Sequence, residues 1–471
     1  MGRKPLDVEK IVMDLIISDD SAAKKKLAKK IFSLAYKNGI YPSSIHDFYT
    51  ARGRGELGGF TPAPIAIKDR LHPHTKDFGV GVNTQLVQGF TVPAINLRSM
   101  TYDLAAALFR VAKSNGSGAF IFEIAKSEMG YTNQPPLEYS GVILGAAIKE
   151  GYAGPVFIQA DHCQLSAKKF LENPKKEVEA LQALIADCLA SGFYNIDIDS
   201  STLVDLSKKD VKKQQECNYE VCAKLTQFIR RIEPKGITVS VGGEIGEVGH
   251  KNSTAEDLAA FMSGYKERLR KGLVGISKIS VQTGTSHGGV VLPDGAIAQV
   301  KLDFETLKNL SEIAKKEYGL AGAVQHGAST LPVEAFHKFA ECGAAEVHLA
   351  TEFQNMIYES RHFPNELKVK MYDWLKLNAA SEKKEGETEE QFFYKTRKKA
   401  LGPFKKDIMG LPDEVRSAIA LDIEHKFDFL FKQLNAVNNK DLVDKYVTLK
   451  RVIVRKREEG KEVVHDAEGA D

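Results

Sequence analysis

Three histidines follow short apolar runs: His162 in VFIQADHCQ (156–164), His287 in SVQTGTSHGGV (280–290) and His326 in AGAVQHGAST (321–330). An apolar run that stops at a polar cluster reads as a buried parallel strand delivering side chains at its C-terminal end. Catalytic groups sit at that end in βα folds. Asp161 beside His162 joins a carboxylate that can move a proton to an imidazole that can ligate a metal. Three imidazoles at one mouth are what an open catalytic zinc site needs, with the fourth position left for substrate. Glycine follows both His287 and His326, which removes side-chain bulk and lets backbone amides approach a ligand. Glu244, in VSVGGEIGEVG (239–249), adds a carboxylate in the same layer, as a further ligand or as a group that orients one. Singly, each of these residues could close a strand with no chemical role. It is the set, at the same end of successive strands, that points to a metal.

The elements that must position this set alternate. Candidate strands are 91–96, 119–123, 156–159, 195–199, 238–242, 278–282, 322–325 and 346–349. Helical spacing fills the intervals at 102–114, 137–150, 175–191, 218–232, 254–271, 303–317 and 332–341, with another helix starting near Thr351. Strands alternating with helices of this length predict parallel βαβ units, and eight of them predict an α/β fold of the TIM (β/α)8 barrel type. A doubly wound open sheet is the alternative, and no GxGxxG follows any of these strands to support it.

The barrel is expected over 88–360. Before it, 1–87 reads as an extension with helices over 8–17 and 22–38, stopped by Gly39 and followed by a Gly/Pro/His-rich loop. His72 and His74 in that loop read as an exposed turn. After it, 361–455 is helical in period without strands, and 456–471 is a charged tail poor in apolar groups. Of 471 residues 43% are hydrophobic and 27% charged, a globular composition that excludes disorder of the whole chain. A balance of 65 basic against 62 acidic residues gives no reason to expect nucleic acid or an anionic membrane as a partner. Five scattered cysteines without a CxxC pair indicate neither a disulfide framework nor a cysteine zinc module. No signal-peptide core and no run of 18 apolar residues is present, so the expected location is cytoplasmic.

Taken in order, ADHC at 160–163, EIG at 244–246, HGG at 287–289 and HGAS at 326–329 resemble the class II, metal-dependent ketose-bisphosphate aldolases. FTVPAINL from Phe90 looks like that family's first strand and NIDIDSS at 195–201 like its fourth. The resemblance implies that His162, His287 and His326 hold one divalent metal, zinc, with Glu244 as an alternative or neighbouring ligand. It implies Asp161 as the group that takes the proton from the hydroxyl at the cleaved bond. Gly288, Gly289, Gly327, Ser329 and Thr351 would line a phosphate site, with Asn96 and Asp199 as supporting polar residues.

Three departures stand beside it. The segment after the fifth strand, VGHKNSTAEDL, is short, leaving Glu247 and His250 to supply a second catalytic acid. HGGVVLPDG lacks the family's lysine, and HLAT places His348 and Ala350 where the family has Asn and Asp. The implied activity is reversible cleavage of a phosphorylated ketose, fructose 1,6-bisphosphate giving glycerone phosphate and glyceraldehyde 3-phosphate. The partner is then a small sugar phosphate, and the general expectation for a soluble enzyme is a homo-oligomer, here with the C-terminal helices as interface. IFEIAKSEMGYTNQPP (121–136) also resembles the non-catalytic partner subunit of tagatose-bisphosphate aldolases, which keeps an accessory role open. Metal-assisted hydrolysis or isomerisation is a third reading, without a second carboxylate-rich metal site to support it.

Overall fold

The computed structural model describes residues 7–57, 89–246, 251–284 and 302–452. Nine parallel strands make one sheet: β1 (Ile40–Ser43), β2 (Val92–Asn96), β3 (Ile121–Ala125), β4 (Gly154–Gln164), β5 (Asn195–Asp199), β6 (Ser240–Gly246), β7 (Lys278–Val281), β8 (Ala323–Gln325) and β9 (Glu346–Leu349). β2 to β9 pair in sequence order and β9 returns to β2, so these eight close a parallel barrel with helices outside. This is the expected TIM barrel. The strands fall within a few residues of their sequence positions, and the helix expected over 332–341 is instead a 3-10 turn followed by the short helix His337–Glu341.

β1 is the element that sequence spacing misses. Ile40 to Ser43 pair with Gly154 to Phe157, on the same edge of β4 that Asn195 of β5 takes over from Gln159 onward. The Asn195 side chain joins the two, accepting from Ile45 N at 2.9 Å and donating to Ser43 O at 3.2 Å. The helix His46–Gly53 then closes the barrel from below. Its Ile45, Phe48 and Tyr49 neighbours are fully buried with Val92, Ala94, Ile121, Phe157 and Val324.

Alternation along each strand sorts the interior into layers. That apolar floor lies lowest. Above it, inward positions carry Glu123, Gln159, Asp197, Lys278 and Glu346, all buried. The mouth carries Asn96, Asp161, His162, Asp199, Glu244, His326 and His348. Outward positions such as Ile95, Phe122, Ile158, Ile196 and Val347 pack under the surrounding helices.

Beyond the barrel, helix Asp413–Gln433 lies along helix Thr101–Ser114, tied by Arg110 to Glu424 at 2.6 Å and Asn115 to Asp428 at 2.8 Å. Helix Lys440–Tyr446 ends well before the sequence pattern does, and its Val443 joins the floor. The helix Glu389–Thr396 and the 3-10 turn Arg397–Ala400 come up beside the mouth. Among the described residues no helix is long and apolar enough to cross a membrane.

Candidate active site

A cavity of about 480 Å³ opens at the C-terminal ends of the strands. Asp161 and His162 both reach it, although neighbours on a regular strand face opposite ways. The register of β4 against β5 shifts between Ala160 and Cys163, and His162 takes a left-handed backbone with φ of 39°. This bulge turns two consecutive side chains inward. A non-glycine residue at positive φ is costly, and such strain gathers at functional sites. β6 has a matching irregularity between Glu244 and Gly246. Gly246 has φ of 76°, and a Cβ there would lie 2.1 Å from Ser201 Cβ, so the EIG glycine lets Glu244 face the mouth.

The His162 and His326 ring centroids are 4.3 Å apart, and those of His326 and His348 are 4.1 Å apart. His162 Nδ1 lies 3.2 Å from Asp199 Oδ2 and 3.6 Å from Glu244 Oε2. A proton on Nδ1 shared with Asp199 leaves Nε2 with its lone pair, the usual arrangement for a metal-binding imidazole. Candidate ligand atoms of His162, Asp199 and Glu244 lie within 4.8 Å of one another, as do those of Asp161, His326 and His348. Asp161 Oδ1 and His348 Nδ1 are buried 3.3 Å apart, and the same Nδ1 lies 2.9 Å from Glu123 Oε2.

The electrostatics favour positive charge here. Burial opposes an imidazolium at His162, and Asp161 and Asp199 outweigh it, holding the pKa well above the ordinary value. Burial likewise opposes ionised Asp161, and His162 and His348 overrule it, keeping the carboxylate charged. Burial and the neighbouring Asp199 push Glu244 up to about 8. Carboxylates that hold protons on neighbouring imidazoles are suited to exchanging those protons for a cation. The donor set, buried imidazole nitrogens and carboxylate oxygens within 4.8 Å of one another, therefore fits a divalent metal.

Of the residues expected from sequence, the structure brings together Asp161, His162, His326, Glu244, Asp199, Asn96, Gly327, Ser329 and Thr351 around this cavity. His287, Gly288, Gly289 and Glu247 lie outside the described residues, as do His72, His74 and His250. Gly327 is left-handed, with φ of 68°. Ser329 Oγ accepts from Ala350 N at 2.8 Å, at the start of helix Thr351–Glu359. Asn96 donates to Glu128 Oε2 at 2.5 Å.

Other residues at the site are not singled out by sequence spacing. His348, read there only as a departure at a strand end, sits 2.9 Å from Glu123 Oε2 and faces Asp161. Arg98, paired with Glu128 at 2.7 Å, and Lys395 and Lys398 from the C-terminal segment line the outer wall. Lys278 is the one buried lysine of the charged layer, and its position on a barrel strand invites comparison with a Schiff-base lysine. Its Nζ instead donates to Gln159 at 2.7 Å, Asp197 at 2.9 Å and Glu346 at 2.5 Å. Burial opposes its charge, and Asp197 and Glu346 hold it above the usual value, so it remains an ammonium and a poor nucleophile.

The fold and mouth together define a (β/α)8 barrel with a carboxylate-imidazole site suited to a divalent metal. The chain belongs to the class-II fructose-bisphosphate aldolase family, whose pattern it matches over residues 83–401. No curated protein matches it. Among solved structures it is similar to a probable tagatose 6 phosphate kinase from Sinorhizobium meliloti 1021, at 12% identity and TM-score 0.52 over 76% of this chain and 99% of that one. It is also similar to a putative fructose-1,6-biphosphate aldolase from Coccidioides immitis, at 16% identity and TM-score 0.44 over 75% and 94%. A fructose-bisphosphate aldolase from Campylobacter jejuni matches at 20% identity and TM-score 0.41 over 74% and 91%. At such identities the first of these speaks for the fold alone.

Proposed function

We propose that this chain is a zinc-dependent lyase that cleaves a phosphorylated ketose reversibly, with fructose 1,6-bisphosphate giving glycerone phosphate and glyceraldehyde 3-phosphate as its reaction. The observation that carries this reading is the meeting of Asp161, His162 and His326, from two strands, in the mouth of a barrel of the aldolase family.

His162 and His326, with His287 from beyond the described residues, would hold the ion, and Glu244 would be a further ligand. Imidazole donors favour zinc. When bound, a divalent ion supplies Lewis-acid stabilisation of the negative charge that carbon–carbon cleavage leaves on the ketose oxygens. Asp161, held as a carboxylate, accepts the proton of the hydroxyl at the cleaved bond and returns it in condensation. Glu247 is the candidate for the second proton transfer. Asp199 fixes the His162 ring, and Asn96 offers polar contacts to substrate from the cavity wall.

A phosphate would sit on Gly327, Ser329, Thr351 and the amino end of helix Thr351–Glu359, with Gly288 and Gly289 completing its cradle. The cations Arg98, Lys395 and Lys398 on the outer wall suit an anionic group at the other end of the substrate. A cytoplasmic homo-oligomer goes with this reading, and light scattering of the purified chain tests the assembly.

The decisive assay is cleavage of fructose 1,6-bisphosphate and its tagatose isomer by zinc-loaded protein, with and without a chelator. Chelator-sensitive cleavage and about one zinc per chain are expected. Metal-replete protein that cleaves neither ketose, and gains activity only with a second barrel protein, would overturn the reading in favour of the accessory subunit.

A further inference from the structure

The helix His46–Gly53 lies outside the residues that match the family, yet one of its side chains reaches the layer directly beneath the site. Tyr49 is fully buried, and its hydroxyl donates to Glu346 Oε1 at 2.5 Å. The other oxygen of that carboxylate, Oε2, receives Lys278 Nζ at 2.5 Å and lies 2.9 Å from His348 Nε2. The opposite nitrogen of the same ring, Nδ1, lies 3.3 Å from Asp161 Oδ1 and 2.9 Å from Glu123 Oε2. A continuous line of buried polar groups therefore runs from the floor plug to the proposed base: Tyr49, Glu346, His348, Asp161.

We propose that the N-terminal segment is a working part of the active site, in which Tyr49 is a positioning residue that acts on Asp161 through Glu346 and His348. This rests on the aldolase reading for what Asp161 does, though not for the geometry.

Each link has a physical reason. Both Glu346 oxygens are occupied, one by the phenol and one by Lys278 and His348, so the carboxylate has a single orientation. A carboxylate fixed against Nε2 assigns that nitrogen as donor and sets the plane of the ring, which in turn fixes where Nδ1 stands between Glu123 and Asp161. Arg52, three residues on from Tyr49, anchors the helix by donating to Phe90 O at 2.7 Å and Ala344 O at 2.8 Å, the latter just ahead of β9. The plug and the strand carrying Glu346 and His348 are thus held in one register. An apolar floor would have needed only bulk from this helix. Placing a hydroxyl there, against a buried carboxylate two residues before His348, is the observation that bulk does not explain.

Tyr49→Phe keeps the ring and removes the donor. In the zinc-loaded full chain the expected result is a fall in kcat of about ten- to hundredfold, with KM within a factor of about two, because the loss is one of alignment at the reacting bond. The same substitution in a His348→Asn background should cost nothing further, since the relay is already cut. Ring nitrogen resonances of His348 in protein labelled with 15N-histidine, assigned by their loss in His348→Asn, should move in Tyr49→Phe while those of surface His425 stay in place. Should Tyr49→Phe fail to fold, Glu346→Gln is the second variant, with the same readouts. Equal costs in both backgrounds, or unmoved His348 resonances, would overturn the relay and leave the aldolase reading standing. Wild-type protein that cleaves no ketose would remove the aldolase reading, and the resonances would still decide the relay.

Discussion

His162 is where local geometry and chemistry meet. A left-handed residue inside a strand costs about 1–3 kcal/mol, and here it places a carboxylate and an imidazole on one side of β4. Gly246 does the corresponding service for Glu244. Gly246→Ala puts a methyl group against Ser201 at positive φ, and a loss of about 1–3 kcal/mol in urea unfolding is expected, together with weaker zinc retention as Glu244 is displaced. At the outer wall, burial and the charge of Arg98 bring Lys398 down to about 8. It is an ammonium below that pH and neutral above it. KM for a ketose bisphosphate should therefore rise as pH passes about 8, and Lys398→Arg, which stays charged, should flatten that rise. A KM independent of pH in the wild type would remove Lys398 from the substrate site. Among these residues, DHC and HGAS are legible in sequence because they break apolar runs at strand ends. His348 also stands at a strand end, but its partners Glu123, Asp161 and Glu346 come from three strands, so its meaning depends on the closed barrel.

The strands themselves were readable for a simple reason: apolar residues facing the helices mark each one, and 195–199 and 346–349 coincide with β5 and β9. The apolar run predicts β4 only over 156–159, whereas the strand continues to Gln164, because the bulge lets pairing with β5 resume beyond two charged residues. β1 is illegible for the opposite reason. It is four residues long, contains Pro42, and is defined by pairing with β4 far along the chain. The charged layer is hidden as well, since Lys278 and Glu346 each look like the polar start of a strand. In place they neutralise one another within 2.5 Å. Lys278→Met leaves Asp197 and Glu346 facing each other in the interior, and a loss of about 3–5 kcal/mol is expected from unpairing a buried ion network. A urea midpoint within error of the wild type would mean that the layer holds fewer charges than its geometry indicates.

The whole molecule is a barrel closed at one end by its own N-terminal segment and walled at the other by its C-terminal helices. The floor is apolar, the middle carries opposed charges, and the mouth concentrates carboxylates and imidazoles. Each level leans on the one below: the plug orders β9, the charged layer fixes His348, and the mouth inherits that order. The claim at the centre is that the mouth uses metal binding and proton transfer as separable tasks. The most direct test is zinc content and cleavage rate measured together on Asp161→Asn. The account predicts protein that keeps about one zinc per chain and loses cleavage by about 10²–10⁴-fold. A variant that keeps the wild-type rate, or one that loses its zinc together with its activity, would contradict it.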